Sequence, residues 1–491
     1  MTAALSTQSL VILAVLTPFV GALLIPLFHR SPNLRETVTL VTAGTLCLIT
    51  FSLLGPVLDG ARPELQILRI VPGLDLAFKV EPLGMLFALV AASLWVVNSV
   101  YSIGYMRAND EPRQTTFYVC FAIALGSTIG VAFAGNLFTL FLFYEALTLS
   151  TYPLVTHKRN AEAVRAGRIY LLLLLGTSLL LLLPAMIATW AIAGTLDFTP
   201  GGILAGKAGA PVIAVLLALY VFGIGKAAVM PLHFWLPAAM VAPTPVSALL
   251  HAVAVVKAGV FTVVKVAVFV FGVDNLASLG QSAWLTAVAA TTVIVASIVA
   301  LRQDDLKRRL AYSTISQLSY VVLGVAILAP ISLTGAAMHI AAHAFSKITL
   351  FFAAGSIYTG AHLTEVSQLD GIGRRMPWTM AAFTIGALGM IGIPPTAGFL
   401  GKWFILTGAM QTANWLAVSV IVASTLLNAG YFLPIVFRAF FREPPGDGHG
   451  TKSGEAPWPM VLALTTTAAG SMLMFFLPGI AYALATLMMG R

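Results

Sequence analysis

One carboxylate, Glu145, and five lysines, Lys226, Lys257, Lys265, Lys347 and Lys402, stand inside long apolar runs, together with His251, His339 and His343. At the centre of a bilayer-spanning helix one charged lysine costs roughly 2.5–3.5 kcal/mol even on the lenient insertion scale, and such residues are functional by default. Burial disfavours the charged form of an amine. With a single deep carboxylate to share, most of these lysines lack an acid partner, so some should be neutral much of the time. A neutral amine beside an imidazole and water accepts protons, and proton transfer along a buried axis is the chemistry this set suits. A sodium path through this chain alone fits less well, because a hard cation wants several oxygen ligands.

Spacing sharpens the picture. His339, His343 and Lys347 recur in steps of four, which keeps them on one helical face over about 12 Å. Two histidines at i and i+4 can ligate zinc, but no acidic or cysteine ligand stands near them, and no metal is expected. Ser313, Gln317 and Tyr320 form a polar stripe that suits either helix–helix glue or a water-holding surface. Lys265 lies near enough to the end of its run to snorkel. His251 suits a core position and a path position equally.

The elements that must carry these groups follow from composition. The chain has 491 residues, 59% hydrophobic and 9% charged. Repeated apolar runs of about 20 residues mean an all-α polytopic membrane protein, here with about 14 spans and no room for a sizeable soluble domain. Cys47 and Cys120 both fall in apolar runs and cannot hold an iron–sulfur centre by themselves. No cofactor is expected, and the chain is read as a transporter component rather than an enzyme. Met1–Leu10 has no basic leader region, so the first run is expected to remain as a span.

The net charge of +9 would suit a nucleic-acid binder. Its distribution excludes that reading. With the N-terminus outside, the inner loops hold most of the basic residues, Arg107, Arg113, Lys158, Arg308 and Arg374 among them. The outer side keeps only Arg62, Arg69, Lys79, Lys207 and Arg491. That asymmetry is a topology signal, and it places both termini outside.

Two runs are interrupted. The stretch Leu216–Val266 carries Lys226 five residues ahead of Pro231, then Pro231-Leu232-His233-Phe234-Trp235-Leu236-Pro237, then a second run with His251 and Lys257. The run near 378–408 breaks at Ile393-Pro394-Pro395-Thr396, ahead of Lys402. Proline-interrupted spans in corresponding places point to an internal repeat with its working site at the breaks. Spans four to eight (115–270) and nine to thirteen (283–437) are five helices each, and an odd number makes the second copy inverted. Residues 1–114 hold three helices and a surface hairpin over 62–81. There Leu74, Leu76, Phe78 and Val80 alternate with Asp75, Ala77, Lys79 and Glu81, after a turn at Pro72-Gly73. Residues 458–491 add a last helix.

These residues together resemble the antiporter-like subunits shared by Mrp-type multisubunit Na+/H+ antiporters and the membrane arm of respiratory complex I. The likeness covers essentially the whole chain. It rests on Tyr144-Glu145, Gly225-Lys226 with the Pro231–Pro237 segment, Ala242-Pro243-Thr244-Pro245-Val246-Ser247-Ala248-Leu249-Leu250-His251 leading to Lys257, the segment from Asp305-Leu306-Lys307-Arg308-Arg309 to Gln317, and His343-Ala344-Phe345-Ser346-Lys347. The resemblance implies 14 helices with two inverted five-helix repeats. It implies that Glu145 and Lys226 form a coupling ion pair, that Lys257 is a central proton relay and that Lys402 is the exit-side group. His251, His339, His343 and Lys347, with Ser313 and Gln317, would line the hydrated axis. Lysine at 402 resembles the D-type component of Mrp antiporters, as does the lack of a long lateral helix after the last span. Three alternatives stay open: an N- or M-like component of complex I, a component of a membrane-bound hydrogenase, and the proton channel of a bicarbonate-uptake complex. The implied partners are other membrane subunits, protons and possibly Na+, in the cell inner membrane.

Overall fold

The computed structural model describes residues 6–71, 74–444 and 454–489. Among these, ten helices are long and apolar enough to cross a membrane. The other four expected spans are the short Ala210–Gly223 helix, the π-widened 244–271 run, the continuous but more polar Leu306–Ala326 helix, and the interrupted pair Pro377–Ile391 and Ala397–Gln411. Burial sorts the helices by polarity. Pro330–Ala361 carries two histidines and a lysine, and 94% of its most apolar window is buried inside the protein. The uniformly apolar Thr7–Phe28 and the Trp415–Phe441 helix are only 39% buried by the same measure. In lipid an apolar outer face costs nothing, while polar side chains must turn inward to find partners. Pro330–Ala361 is therefore the central post of the bundle.

The expected hairpin is present. Glu64–Val71 and Leu74–Lys79 pair antiparallel, with register irregularities between Gln66 and Leu68 and between Arg69 and Val71. The turn at Pro72-Gly73 lies outside the described residues, as do Lys452 and Arg491. Gly135 N–H donates to Ala77 carbonyl at 2.9 Å, which ties the hairpin to the end of the Gln114–Ala132 helix.

Both expected breaks exist, and the first begins earlier than Pro231. The Ala210–Gly223 helix stops at Gly223, and Gly225–Ala227 forms a single 3-10 turn. Lys226 thus sits in the break itself and not on a helix ahead of it. The second break separates Pro377–Ile391 from Ala397–Gln411. It opens at Gly392, whose φ of +87° no L side chain adopts without strain. The 244–271 run is helical but twice widened by π segments, Leu249–Val253 and Ala267–Phe271. Such bulges inside helices recur at functional sites.

Two glycines bring the broken segments against intact helices. A Cβ on Gly259 would stand 2.3 Å from Ala227 N, so the helix that carries Lys257 lies backbone to backbone against the Lys226 break. A Cβ on Gly401 would stand 2.9 Å from the His339 Cβ, which seats the helix carrying Lys402 on the central post.

Candidate proton-transfer site

Lys226 is fully buried. Its Nζ donates to Tyr144 carbonyl at 2.8 Å and Thr148 Oγ1 at 2.6 Å, and its backbone N–H donates to the Tyr144 hydroxyl at 3.2 Å. Nζ also lies 3.1 Å from the centre of the Tyr144 ring. The expected Glu145–Lys226 ion pair is not a direct contact. Among the described residues neither carboxylate oxygen of Glu145 has a hydrogen-bond partner. The reason is local. The side chains of Glu145 and Tyr144, adjacent on a helix, point about 100° apart, so the lysine seated over the Tyr144 ring meets the carboxylate only through space.

From Lys257 a line of polar contacts crosses the molecule. Lys257 Nζ is hydrogen-bonded to His343 Nδ1, and the His343 and His339 ring centres are 6.1 Å apart. His339 Nε2 and Gln317 Oε1 are 3.0 Å apart, and Gln317 Nε2 donates to Met390 carbonyl at 3.3 Å. That same carbonyl accepts from Lys402 Nζ at 2.6 Å, and Ile391 carbonyl accepts from it at 3.1 Å. Met390 and Ile391 are the last two residues of the Pro377–Ile391 half-helix. The final carbonyls of a helix lack intrahelical partners and carry its negative dipole end. The break thus supplies a backbone cradle for a buried cation, the arrangement of interrupted transporter helices.

Lys347 joins this line by a branch that sequence reasoning missed. Its Nζ donates to Ser313 Oγ at 2.9 Å. The Tyr431 hydroxyl stands 3.1 Å from Ser313 Oγ and also bonds Asn428 Oδ1, while Asn428 Nδ2 donates to Met390 carbonyl at 3.3 Å. Met390 carbonyl is therefore the junction of Gln317, Asn428 and Lys402. Asn428 and Tyr431 sit three apart on one face of the apolar Trp415–Phe441 helix, a signal visible in the sequence. Tyr144 and Thr148 were equally legible as a pair four apart. The backbone of His251 lies in the first π segment, and its side chain is outside the described residues.

Two expectations about charge are corrected. Lys265 does not snorkel. It is fully buried, 3.2 Å from Glu81 Oε2, and donates to Ala134 carbonyl at 2.6 Å. Glu145 is not the only buried carboxylate either. Glu81, the residue preceding the Pro82–Ala108 helix, is 4% exposed, and Glu36 is buried between Arg35 and Arg107. Folding carries these acids inward from run ends, where sequence position suggested solvent.

At the Arg-rich end, His157 Nε2 lies 3.6 Å from Glu111 Oε2. Burial, reinforced by Arg113, lowers His157 to about 4, and burial raises Glu111.

A buried line of lysines and histidines thus meets at a half-helix end. The family model for the transmembrane region of NADH:quinone oxidoreductase and Mrp antiporter subunits matches residues 134–441, which hold every member of the line from Lys257 to Lys402 and of its Lys347 branch, and also Glu145 and Lys226. The chain belongs to this family. It is 34% identical over 374 residues to the N subunit of NADH-quinone oxidoreductase from Desulforudis audaxviator, covering 75% of this chain and 74% of the relative. It is 30% identical over 456 residues to the A/B subunit of a probable K+/H+ antiporter from Rhizobium meliloti, covering 90% of this chain and 44% of that longer protein. In fold it matches a chain of the Mrp complex from Dietzia sp. DQ12-45-1b with a TM-score of 0.85, over 99% of this chain and 97% of that one, at 21% identity. Members of this family work as membrane subunits of multisubunit assemblies, and other membrane subunits are the partners of this chain.

Proposed function

We propose that this chain is the proton-translocating, D-type member of a multisubunit monovalent cation (Na+)/proton antiporter of the Mrp kind. The observation that carries the proton-transfer part is the contact line from Lys257 through His343, His339, Gln317 and Met390 carbonyl to Lys402. Every member is buried, and each lysine end can gain or lose a proton. Lys402 on the half-helix end, together with the full-length fold match to an Mrp complex chain, supports the antiporter assignment. Residues 115–270 and 283–437 act as two inverted repeats, each with one break, Lys226 in the first and Lys402 beside the second. Glu145 biases Lys226 through space, Lys257 relays, and Lys402 faces the exit. The Arg-rich loop ends face the inside of the cell inner membrane, and both termini face outside.

A second reading has its own support. The relative with 34% identity belongs to a quinone oxidoreductase, so the same line would then move protons in a quinone-driven or hydrogenase complex. The test is reconstitution of the native complex in sealed proteoliposomes. Antiport predicts Na+ uptake driven by an imposed pH gradient with no quinone present. Proton movement only on addition of a reductant and quinone would replace the antiporter reading by the second one.

A further inference from the structure

The line from Lys257 to Lys402 gives a proton somewhere to go. A proton must also reach Lys257. A cavity of about 240 Å³ opens at the Arg-rich end, lined by Tyr105, Thr244, Lys158, Lys307 and Tyr358. The Lys307 ammonium donates to Ala242 carbonyl at 2.6 Å in its wall. Three elements meet at its floor. The Tyr101 hydroxyl donates to Phe352 carbonyl at 2.8 Å, and Tyr105 and Thr244 stand together in the cavity lining. A Cβ on Gly355 would stand 2.3 Å from the Tyr101 hydroxyl and 2.7 Å from Thr244 Cγ2.

Below this floor the Pro82–Ala108 helix turns a polar residue inward. Asn98 is fully buried, and among the described residues neither its amide nitrogen nor its amide oxygen has a hydrogen-bond partner. Ser247 Oγ and Trp95 Nε1 share that condition. Buried polar groups in native proteins are bonded, and water serves where protein does not.

Helical geometry fixes where Asn98 points. Tyr105, Asn98 and Phe87 are spaced by seven and eleven residues, so their directions agree within about 20°. Tyr105 lines the same cavity as Thr244, and the Phe87 ring lies 5.0 Å from that of Phe261, one turn beyond Lys257. Asn98 therefore faces the stretch between them, which holds Ser247 and the π segment Leu249–Val253. It lies about 10 Å from the level of Tyr105 and about 10 Å from that of Lys257, midway between cavity and relay.

We propose that the cavity at the Arg-rich end and the seam behind it form the proton inlet to Lys257, with Asn98 as the positioning residue that holds its water. A hydrated proton arriving along that water passes to the neutral Lys257 amine, which becomes an ammonium, and a water molecule is left behind. Asn98 donates and accepts but neither gains nor loses a proton. The proposal rests on the proton-translocation reading and on the inward orientation of the Arg-rich end.

The test uses the intact complex in sealed vesicles of each orientation, with Cys47 and Cys120 replaced by serine and Asn98→Cys introduced. Labelling by 2-sulfonatoethyl methanethiosulfonate, a membrane-impermeant thiol reagent, is read by the mass of the labelled chain. In parallel, Asn98→Leu and Asn98→Ser are compared for proton flux at equal assembly. The expected result is labelling from the inner face only, a loss of roughly tenfold or more in Asn98→Leu, and flux close to wild type in Asn98→Ser, which keeps a hydroxyl for water. No labelling, labelling from the outer face, or undiminished flux in an assembled Asn98→Leu complex overturns the inlet. Because labelling needs no transport, it separates the two readings. Inward labelling in a complex that moves no protons would sink the function while leaving the water-filled seam in place.

Discussion

Lys226 Nζ donates to the carbonyl of Tyr144, 2.8 Å away, and not to the carboxylate of Glu145, the next residue on the same helix. The lysine is held by neutral oxygens, from Tyr144 and Thr148, while the oxygens of the acid beside it have no hydrogen-bond partner among the described residues. Under the proposed function, a small movement of the lysine in its unwound segment would exchange this arrangement for an ion pair, and the pair would work as a switch with two positions.

That switch predicts non-additive losses. Glu145→Gln should abolish proton flux in a complex that still assembles, and Lys226→Ala should do the same. If both residues serve one step, the double variant loses little more than either single one. The measurement is a double-mutant cycle on flux in proteoliposomes, with assembly confirmed for each protein. Independent losses that multiply would place the switch elsewhere.

Asn428 and Tyr431 connect Lys347 to the Met390 junction. Tyr431→Phe removes one hydroxyl and little volume, so the fold should hold. Flux should fall, because the Ser313 and Asn428 ends lose their shared partner. Asn428→Leu should be more harmful, since it also frees the Met390 carbonyl from one donor. An unsatisfied buried polar group costs about 1–3 kcal/mol. Flux and thermal midpoint measured together check this. A lower midpoint with full flux would make the branch structural only.

His157 provides a pH test away from the path. Its ordinary value of 6.5 is lowered to about 4 by burial and then by Arg113. Between these values the unfolded chain binds more protons than the folded one, so stability rises with pH. The contribution is complete above 6.5, declines as pH falls towards 4, and is constant below that. Glu111, raised by burial, works in the opposite sense just above its ordinary 4.5. His157→Gln removes the first contribution alone. The thermal midpoint of the solubilised complex should then drop less between pH 6.5 and pH 4.5 than in the wild type. An unchanged slope would contradict the buried, neutral histidine.

How much of this was legible beforehand depended on the kind of signal. A lysine or proline inside an apolar run is conspicuous, so Lys226, Lys257, Lys347, Lys402 and both breaks could be read directly. The exact start of the first break could not, because Gly223 and not Pro231 ends the helix, and Pro231 was the stronger marker. The Met390 junction is a backbone carbonyl, to which side-chain chemistry gives no pointer. The Lys265–Glu81 pair joins segments far apart in the chain and needed the fold. Asn98 and Asn428 were readable as lone amides in apolar helices, but attention to ionisable groups passed over them.

Proton passage between Lys257 and Lys402 requires both lysines to change protonation, whereas a fixed charge would do for a purely structural cation. Arginine supplies the charge but keeps its proton at any working pH. The most direct measurement is proton flux through the intact complex in sealed vesicles, comparing Lys402→Arg with Lys402→Ala and the wild type. The account predicts that Lys402→Arg is nearly as inactive as Lys402→Ala although the complex assembles. Flux through Lys402→Arg at the wild-type rate would contradict it.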